Sequence, residues 1–534
     1  MPHGPGARKL PPVLGRLVSG TFWMALRTPI QAVLSLWTIR LIIQAIDKDM
    51  GGAYAFAWGF GFFQMLFELG MSSALQRQVS ENYTKGDRAG VDRSIACGMN
   101  FYAVMTVVQV AALMFVAYVL LPYSQFYGHD DQYRLIIKLL WLQAVTAPCY
   151  GLSAVVGSVL QAARRYDFLP RFELAVVVLR FALLWGGVNA GVDFFTIVVC
   201  QTLMQVGLTL GPSTWVMIRE LGYLPHFRGA FRDDYRALMR VSFYMFMVQL
   251  SVVLSDKIDT TILGFALDDP GPANAVYWAV SKPFLQIRQT GWGLAYLVMP
   301  AVASLLAARD MKALDRLKYD GTRLHIAAIL PITLLAWIHA RPFLTLWMGN
   351  TLGEDAASKA FLMRLFLVAT IPLILSVPVQ IAFGMNKPRV IALAALFGAL
   401  VNLPLSLILT LRLGVAGVIW GTVLTTLFSN LLIPGVYVFR ELDIKPRLFL
   451  SRTLSAPTFG ALALVGAALT LRAFHPLHPS PLGGMSLARW MPLVGHLVVG
   501  CLAYAAGYLG AKVGRADLAA VVGRLRRRVG TNPA

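Results

Sequence analysis

Apolar stretches long enough to cross a bilayer, about 20 residues each, recur along almost the whole chain. They fall at 17–46, 52–71, 95–121, 135–160, 172–190, 194–218, 241–265, 274–305, 324–347, 358–384, 390–411, 414–438, 453–473 and 490–511. Each run is continuous rather than alternating in polarity, which predicts fourteen membrane-spanning helices and favours them over a barrel. Several of these spans are not apolar all round. In span 1, Arg27, Gln31, Ser35 and Thr38 recur at helical spacing and form one polar face. Span 7 repeats the pattern with Ser251, Ser255 and Asp259, and span 8 with Lys282, Gln286 and Gln289. A polar stripe on a membrane helix faces protein or water rather than lipid.

The chain also repeats itself faintly. Val18-Ser19 recurs as Val241-Ser242, Asp87 as Asp310, Asp92-Arg93 as Asp315-Arg316, and Arg164 as Lys387, all at one offset. Ile218-Arg219-Glu220-Leu221 matches Phe439-Arg440-Glu441-Leu442 at nearly the same offset. Internal halves of this kind build many transporters, with the substrate path between them. The repeat sets the expected domains: a terminus at 1–16, a lobe of spans 1–6 at 17–221, a linker at 222–240, and a lobe of spans 7–12 at 241–442. Spans 13 and 14 at 443–513 and a basic tail at 514–534 lie outside it. Six spans per half run both halves the same way through the membrane, related by an axis along its normal. The expected fold is therefore an all-α polytopic membrane protein with two pseudo-symmetric six-helix lobes and two extra C-terminal helices.

Composition agrees: of 534 residues, 57% are hydrophobic and only 14% charged, with mean hydropathy +0.64. A net charge of +21 points to nucleic acid in a soluble protein, but its distribution excludes that partner here. The bases gather in alternate connections, Arg77–Arg93, Arg164–Arg171, Arg219–Arg240, Arg309–Arg323, Lys387–Arg389 and Arg440–Arg452. The opposite connections carry Asp47/Asp49, Asp130/Asp131, Asp268/Asp269 and Glu354/Asp355. That is the positive-inside pattern, with both termini cytoplasmic. The first apolar run is too long for a cleaved signal and reads as an anchor. The four cysteines, Cys97, Cys149, Cys200 and Cys501, lie in spans as packing residues. His475 and His478 have a weak metal-like spacing, read as a polar loop. No P-loop, Gly-rich phosphate cradle, HExxH helix or soluble catalytic domain is present, so neither an enzyme nor a cofactor is expected.

Ionisable groups inside the bilayer cost roughly 2.5–3.5 kcal/mol each and need a reason. They are Arg27, Arg40, Glu68, Arg180, Asp256, Lys257, Asp259, Lys282 and Arg288. The excess of bases suits an anionic cargo bearing phosphate or carboxylate. Arg27 lies about 10 Å into span 1 and either faces a cavity or snorkels to the surface. Arg180, roughly 13 Å deep in wholly apolar flanks, is a cavity residue or the partner of a buried acid. Arg288, some 21 Å from the start of span 8, is hardest to place at an interface. Asp256, Lys257 and Asp259 form a charge cluster that either couples transport or locks spans 7 and 8, with Lys282 as partner. Glu68 reads as an interfacial acid at the inner end of span 2. Pro283, Gly291, Gly293, Pro372 and Pro378 can bend their spans.

Residues 241–267 and 275–283, VSFYMFMVQLSVVLSDKIDTTILGFAL followed by AVYWAVSKP, resemble the polysaccharide-biosynthesis exporters. These are the O-antigen and exopolysaccharide flippases of the multidrug/oligosaccharidyl-lipid/polysaccharide exporter superfamily. The segments GGAYAFAWGFGFFQMLFELGMSSALQRQVSE at 51–81, MPAVASLLAARD at 299–310, FGMNKPR at 383–389 and LGVAGVIWGTVLTT at 413–426 fit the same pattern. The resemblance covers roughly 17–445. It implies two six-helix lobes around a cavity that opens alternately to each side of the bacterial inner membrane. It also implies a polyprenyl-pyrophosphate-linked glycan as cargo, membrane lipids as neighbours, and other polysaccharide-assembly membrane proteins as partners. Related lipid II flippases use cavity arginines in helices 1 and 8, the spans that hold Arg27 and Arg288 here. Asp256-Lys257 departs from the family pattern, which puts ion coupling at span 7 in doubt. Rival readings are an ion-coupled exporter of drugs and a membrane glycan polymerase or ligase. The latter typically needs a large outside loop, and no outside connection here is long enough.

Overall fold

The computed structural model describes residues 12–163, 168–229, 235–236, 238–239, 246–247, 249–251, 253–255, 257–296, 298–353, 355–385, 387–477 and 487–519. Among these the regular structure is helical and no strand occurs. Among the described residues eleven helices are long and apolar enough to cross a membrane. The chain is thus an all-α multi-pass membrane protein. It divides into two compact units, Met1–Ala275 and Val276–Ala534. Span 7 lies largely outside the described residues, and so does Asp256.

The first unit contains α1 (Pro12–Gly59), α2 (Phe62–Phe67), α3 (Met71–Lys85), α4 (Arg88–Phe115), α5 (Asp130–Ala162), α6 (Phe168–Asn189), α7 (Phe194–Arg219) and α8 (Asp259–Ala266). Spans 1 and 2 run on as one helical segment, broken at Asp47 by a positive φ of 72°. That conformation costs a non-glycine residue on the order of 1–3 kcal/mol. Span 2 does not stop where the apolar run does. After a break at Leu69–Gly70 the chain re-enters a helix, α3, which packs Met71, Ala74, Leu75 and Val79 against α4 and α5.

The second unit follows with α9 (Pro270–Tyr296), which starts in the first, then α10 (Val298–Ala307), α11 (Met311–Arg316) and α12 (Thr322–Ile338). After these come α13 (Ala340–Met348), α14 (Ala356–Val368), α15 (Ser376–Gly384), α16 (Arg389–Leu413), α17 (Val415–Thr426), α18 (Ile433–Glu441), α19 (Ser455–Phe474) and α20 (Leu487–Gly510). Helices α16 and α17 approach to backbone contact. A Cβ on Gly417 would stand 2.1 Å from the Leu409 carbonyl oxygen, so only glycine fits. Small residues at the contact are how helices associate in lipid, where no hydrophobic effect drives them together. Asn402 is fully buried on this seam, and its Oδ1 accepts hydrogen bonds from Ser406 Oγ at 2.9 Å and Thr425 Oγ1 at 3.1 Å.

The sequence repeat has a local structural counterpart. Asp87 and Asp310 adopt nearly the same backbone (φ −78°, ψ 86° and φ −86°, ψ 77°). Each carboxylate accepts the amide N–H three residues on, from Gly90 and Ala313, at 2.9 Å, capping α4 and α11. The preceding residues both have positive φ, 73° at Gly86 and 54° at Arg309, a turn glycine makes without strain. Lys387, at the repeat position of Arg164, is hydrogen-bonded to Glu441. That bond holds its ammonium above the ordinary lysine range.

Spans 13 and 14, which the repeat leaves unexplained, are fastened to the second unit by a network of charges. Arg323, 3% exposed, donates from Nε and Nη2 to the two Asp517 carboxylate oxygens at 2.9 and 2.5 Å. Its Nη1 donates to Asp320 Oδ1 at 2.9 Å and to the Arg452 carbonyl at 2.8 Å. Arg452 grips Asp320 with two bonds, at 2.9 and 2.7 Å. The Tyr508 hydroxyl donates to Asp517 at 2.5 Å. Two cations and two anions thus cancel. Asp320 and Arg452 each sit on a π-helical turn, Leu317–Gly321 and Phe449–Leu454, an expansion often found at such special sites. Replacing Asp517 by Asn leaves Arg323 without its principal anion. It is expected to destabilise the chain by roughly 3 kcal/mol, read as a lower midpoint of thermal unfolding in detergent. An unchanged midpoint would show that the network does not hold spans 13 and 14.

Candidate functional site

The bases singled out in the sequence are found on both units. In the first, α1 and α6 lie side by side, and two contacts tie them. Arg27, half-buried, forms an ion pair with Glu173, and the Arg171 guanidinium stacks over the Trp23 ring at 5.5 Å. The partner of Arg27 is an acid the sequence reading passed over. Its signal was available, a carboxylate in the first turn of a span otherwise flanked by bases. Arg40 is 4% exposed with its guanidinium 5.9 Å from the Trp37 ring centre.

Arg180 stands two turns along α6 from Glu173, about 10 Å by helical rise. Its Nη1 donates to Gln205 Oε1 on α7 at 2.8 Å, and its carbonyl accepts from Gln201 Nε2 at 2.6 Å. Its charge also acts on the phenols of Tyr54 on α1 and Tyr150 on α5. Of the two readings open for Arg180, pairing with a buried acid gives way to pairing with an amide, which leaves the positive charge uncancelled by that contact.

Tyr150 joins this group to a cavity of about 60 Å³, lined by Gln64, Glu68, Tyr102, Thr106, Gln109 and Tyr150 among others. A water occupies about 30 Å³, so the space takes a few waters or the edge of a polar ligand. The Tyr102 hydroxyl is buried without a hydrogen-bond partner of good geometry and has the Glu68 carboxylate as its electrostatic neighbour. Glu68 itself is half-buried. It sits at the break between α2 and α3, with α3 extending to Lys85 beyond it, about 25 Å at helical rise. Apolarity ends near Glu68, so the run of residues that marks a span ends before the helical path does.

Among the span 7 residues, Lys257 is exposed in a turn, while Asp259 is 1% exposed and opens α8. An anion at a helix N-terminus is favoured by the helix dipole. In the second unit Lys282 and Arg288 are each half-buried on α9. The Arg288 guanidinium lies 5.2 Å from the Phe284 ring centre, and Phe284 packs on Phe366 of α14 at 4.6 Å. Among the described residues no group of histidines, cysteines and acids can hold a metal ion.

Comparison with known proteins follows the same lines. A family model described as polysaccharide biosynthesis protein matches residues 17–287. The uncharacterized membrane protein EpsK of Bacillus subtilis (strain 168) is 28% identical over 206 residues, or 38% of this chain. The match spans 39% of that protein's own length. A structure of lipid II flippase MurJ in an inward closed conformation superposes with a TM-score of 0.67 at 14% identity, covering 91% of this chain and 97% of that one. An inward-facing multidrug resistance MATE family transporter of the MOP superfamily gives a TM-score of 0.61 at 12% identity, covering 78% and 96%. At such identities these likenesses establish the fold, an all-α MurJ/MATE-like architecture.

The Arg27–Glu173 pair is open to a direct check. Each side chain keeps 30–45% of its exposure, so R27A and E173Q should each destabilise by less than about 1 kcal/mol. The double variant should lose less than the sum of the two. Strictly additive losses in thermal unfolding would show that the two charges do not interact.

Proposed function

The chain belongs to the polysaccharide biosynthesis protein family, a group of flippases within the MOP superfamily, and from that membership we propose its cargo and mechanism. The cargo is a polyprenyl-pyrophosphate-linked oligosaccharide, an O-antigen or exopolysaccharide repeat unit. It passes from the cytoplasmic to the periplasmic leaflet of the inner membrane by alternating access. Spans 1–6 and 7–12 are the two lobes, and spans 13 and 14 carry the long lipid tail. Both termini are cytoplasmic, and other polysaccharide-assembly membrane proteins receive the product.

The observation that carries this reading is the set of half-buried bases on apolar helices, Arg27, Arg180, Lys282 and Arg288. A pyrophosphate takes several charge-assisted hydrogen bonds from guanidinium and ammonium groups. Groups neither fully buried nor fully exposed keep their donors within reach of a ligand. Tyr150, Gln64 and Gln109 around the cavity supply the phenol and amide groups that sugar hydroxyls need. Asp256, Lys257 and Asp259 near the start of α8 are assigned to coupling or gating. An ion-coupled exporter of cationic solutes is the second reading, favoured by the Glu68 carboxylate in a cavity with no lining base.

A strain lacking the protein should accumulate lipid-linked oligosaccharide that an impermeant glycan-oxidising probe cannot reach. Wild type should restore export, and R288A should restore it at least about tenfold less well, the loss of one charge-assisted contact. Intermediates that reach the periplasmic face unpolymerised would instead identify a polymerase or ligase. No accumulation would favour the exporter of cationic solutes.

A further inference from the structure

A second basic cluster lies at the other end of the second unit's helices from the Asp320 network, and nothing in the glycan-carrying reading uses it. Helix α12 is 17 residues long, about 25 Å, with Arg323 in its first turn and Asp320 on the π-helical turn just before it. At its far end three elements bring arginines together: Arg341 on α13, Arg364 on α14 and Arg472 in the last turn of α19. Arg341 and Arg472 are both close enough to repel the Arg364 charge. Among the described residues none of the three forms an ion pair. By contrast, the network at the other end cancels each of its charges. Arg364 Nε donates to the Trp337 carbonyl at 3.1 Å, and its guanidinium stacks on the Trp337 ring at 5.4 Å.

Histidines extend the cluster. His339, the residue between α12 and α13, is 5% exposed and meets the His496 ring of α20 edge-on at 5.6 Å. Arg472 also repels His339, and His475 acts on His496. His496 is 7% exposed and its Nδ1 is buried without a hydrogen-bond partner. The helix dipole explains Arg472 at a helix C-terminus, but not Arg341. Arg341 stands in the first turn of α13, where a positive charge is disfavoured and an anion is favoured.

Depth fixes the kind of anion. Trp337 is 46% exposed, and Phe343 packs between Trp347 and Trp490 at 5.4 and 6.1 Å. Aromatic residues at span ends mark the headgroup level of a bilayer. Repelling bases, an unpartnered imidazole nitrogen and an interface belt therefore meet at one level. We propose that this cluster binds the phosphate of an anionic lipid headgroup, with Arg341 and Arg472 as its principal donors. The site is distinct from Arg180 and Arg288, and its occupancy does not depend on which cargo the protein carries.

Native mass spectrometry of the delipidated full chain tests this without any transport assay. With phosphatidylglycerol, wild type should retain lipid adducts that R341Q/R472Q loses by about tenfold, as expected for lost charge-assisted bonds. R341K/R472K should recover most of them, and R219Q/R228Q, which removes two bases elsewhere, should match wild type. A variant that fails to fold is recognised by its thermal unfolding, and the lysine pair then carries the comparison against phosphatidylcholine. Displacement of phosphatidylglycerol by polyprenyl pyrophosphate at equal concentration would make the carrier lipid the occupant and would overturn the proposal. Equal retention by wild type and R341Q/R472Q, or retention of phosphatidylcholine as strong as that of phosphatidylglycerol, would overturn the proposal.

Discussion

A charge placed among apolar spans must find a partner in the protein, because lipid offers none. Insertion of each such group costs roughly 2.5–3.5 kcal/mol, and most of this chain's polar architecture answers that cost. Arg27 finds Glu173, and Arg180 finds the Gln205 amide. Arg323 is held by two carboxylates and a carbonyl. Even the neutral Asn402, fully buried, accepts hydrogen bonds from Ser406 and Thr425. With a net charge of +21 the chain has far more bases than acids, and several of its acids bridge helices. Asp320 and Asp517 join α12, the turn before α19 and the segment after α20. Glu173 joins α6 to α1.

The same constraint separates structural bases from candidate ligand groups. Arg323 is saturated by its anions and has little capacity left for a substrate. Arg180 keeps its charge, because an amide satisfies a donor without neutralising it. Its charge acts on the phenols of Tyr54 and Tyr150, and Tyr150 lines one cavity together with Gln64, Gln109 and Glu68. Base, phenol, amide and acid are thus gathered within a single unit.

Much of the fold was legible because apolarity reports on lipid contact, residue by residue. The break at Asp47 separates two spans where the apolar runs did, and Asp87 and Asp310 cap helices at positions one repeat apart. What was not legible depended on pairing across the sequence. Glu173 gave no signal of its partner on α1, nor Asp517 of Arg323, since an acid's partner is chosen by packing rather than by spacing. The helical path beyond Glu68 continues through the amphipathic α3, whose buried face is covered by α4 and α5, so its extent could not be read from apolarity alone. Of the site, the identity of the bases could be read, but not which of them are neutralised.

The central claim is that half-buried bases on membrane helices carry a pyrophosphate-linked glycan across the bilayer. Purified protein in proteoliposomes loaded with a fluorescent polyprenyl-pyrophosphate oligosaccharide tests it most directly, with dithionite quenching reporting the exposed leaflet. The account predicts that wild type moves the probe, that R180Q and R288Q slow it at least about tenfold, and that a neutral polyprenyl glycoside lacking the pyrophosphate is a poor cargo. Equal movement of the neutral probe, or full activity in both variants, would contradict it.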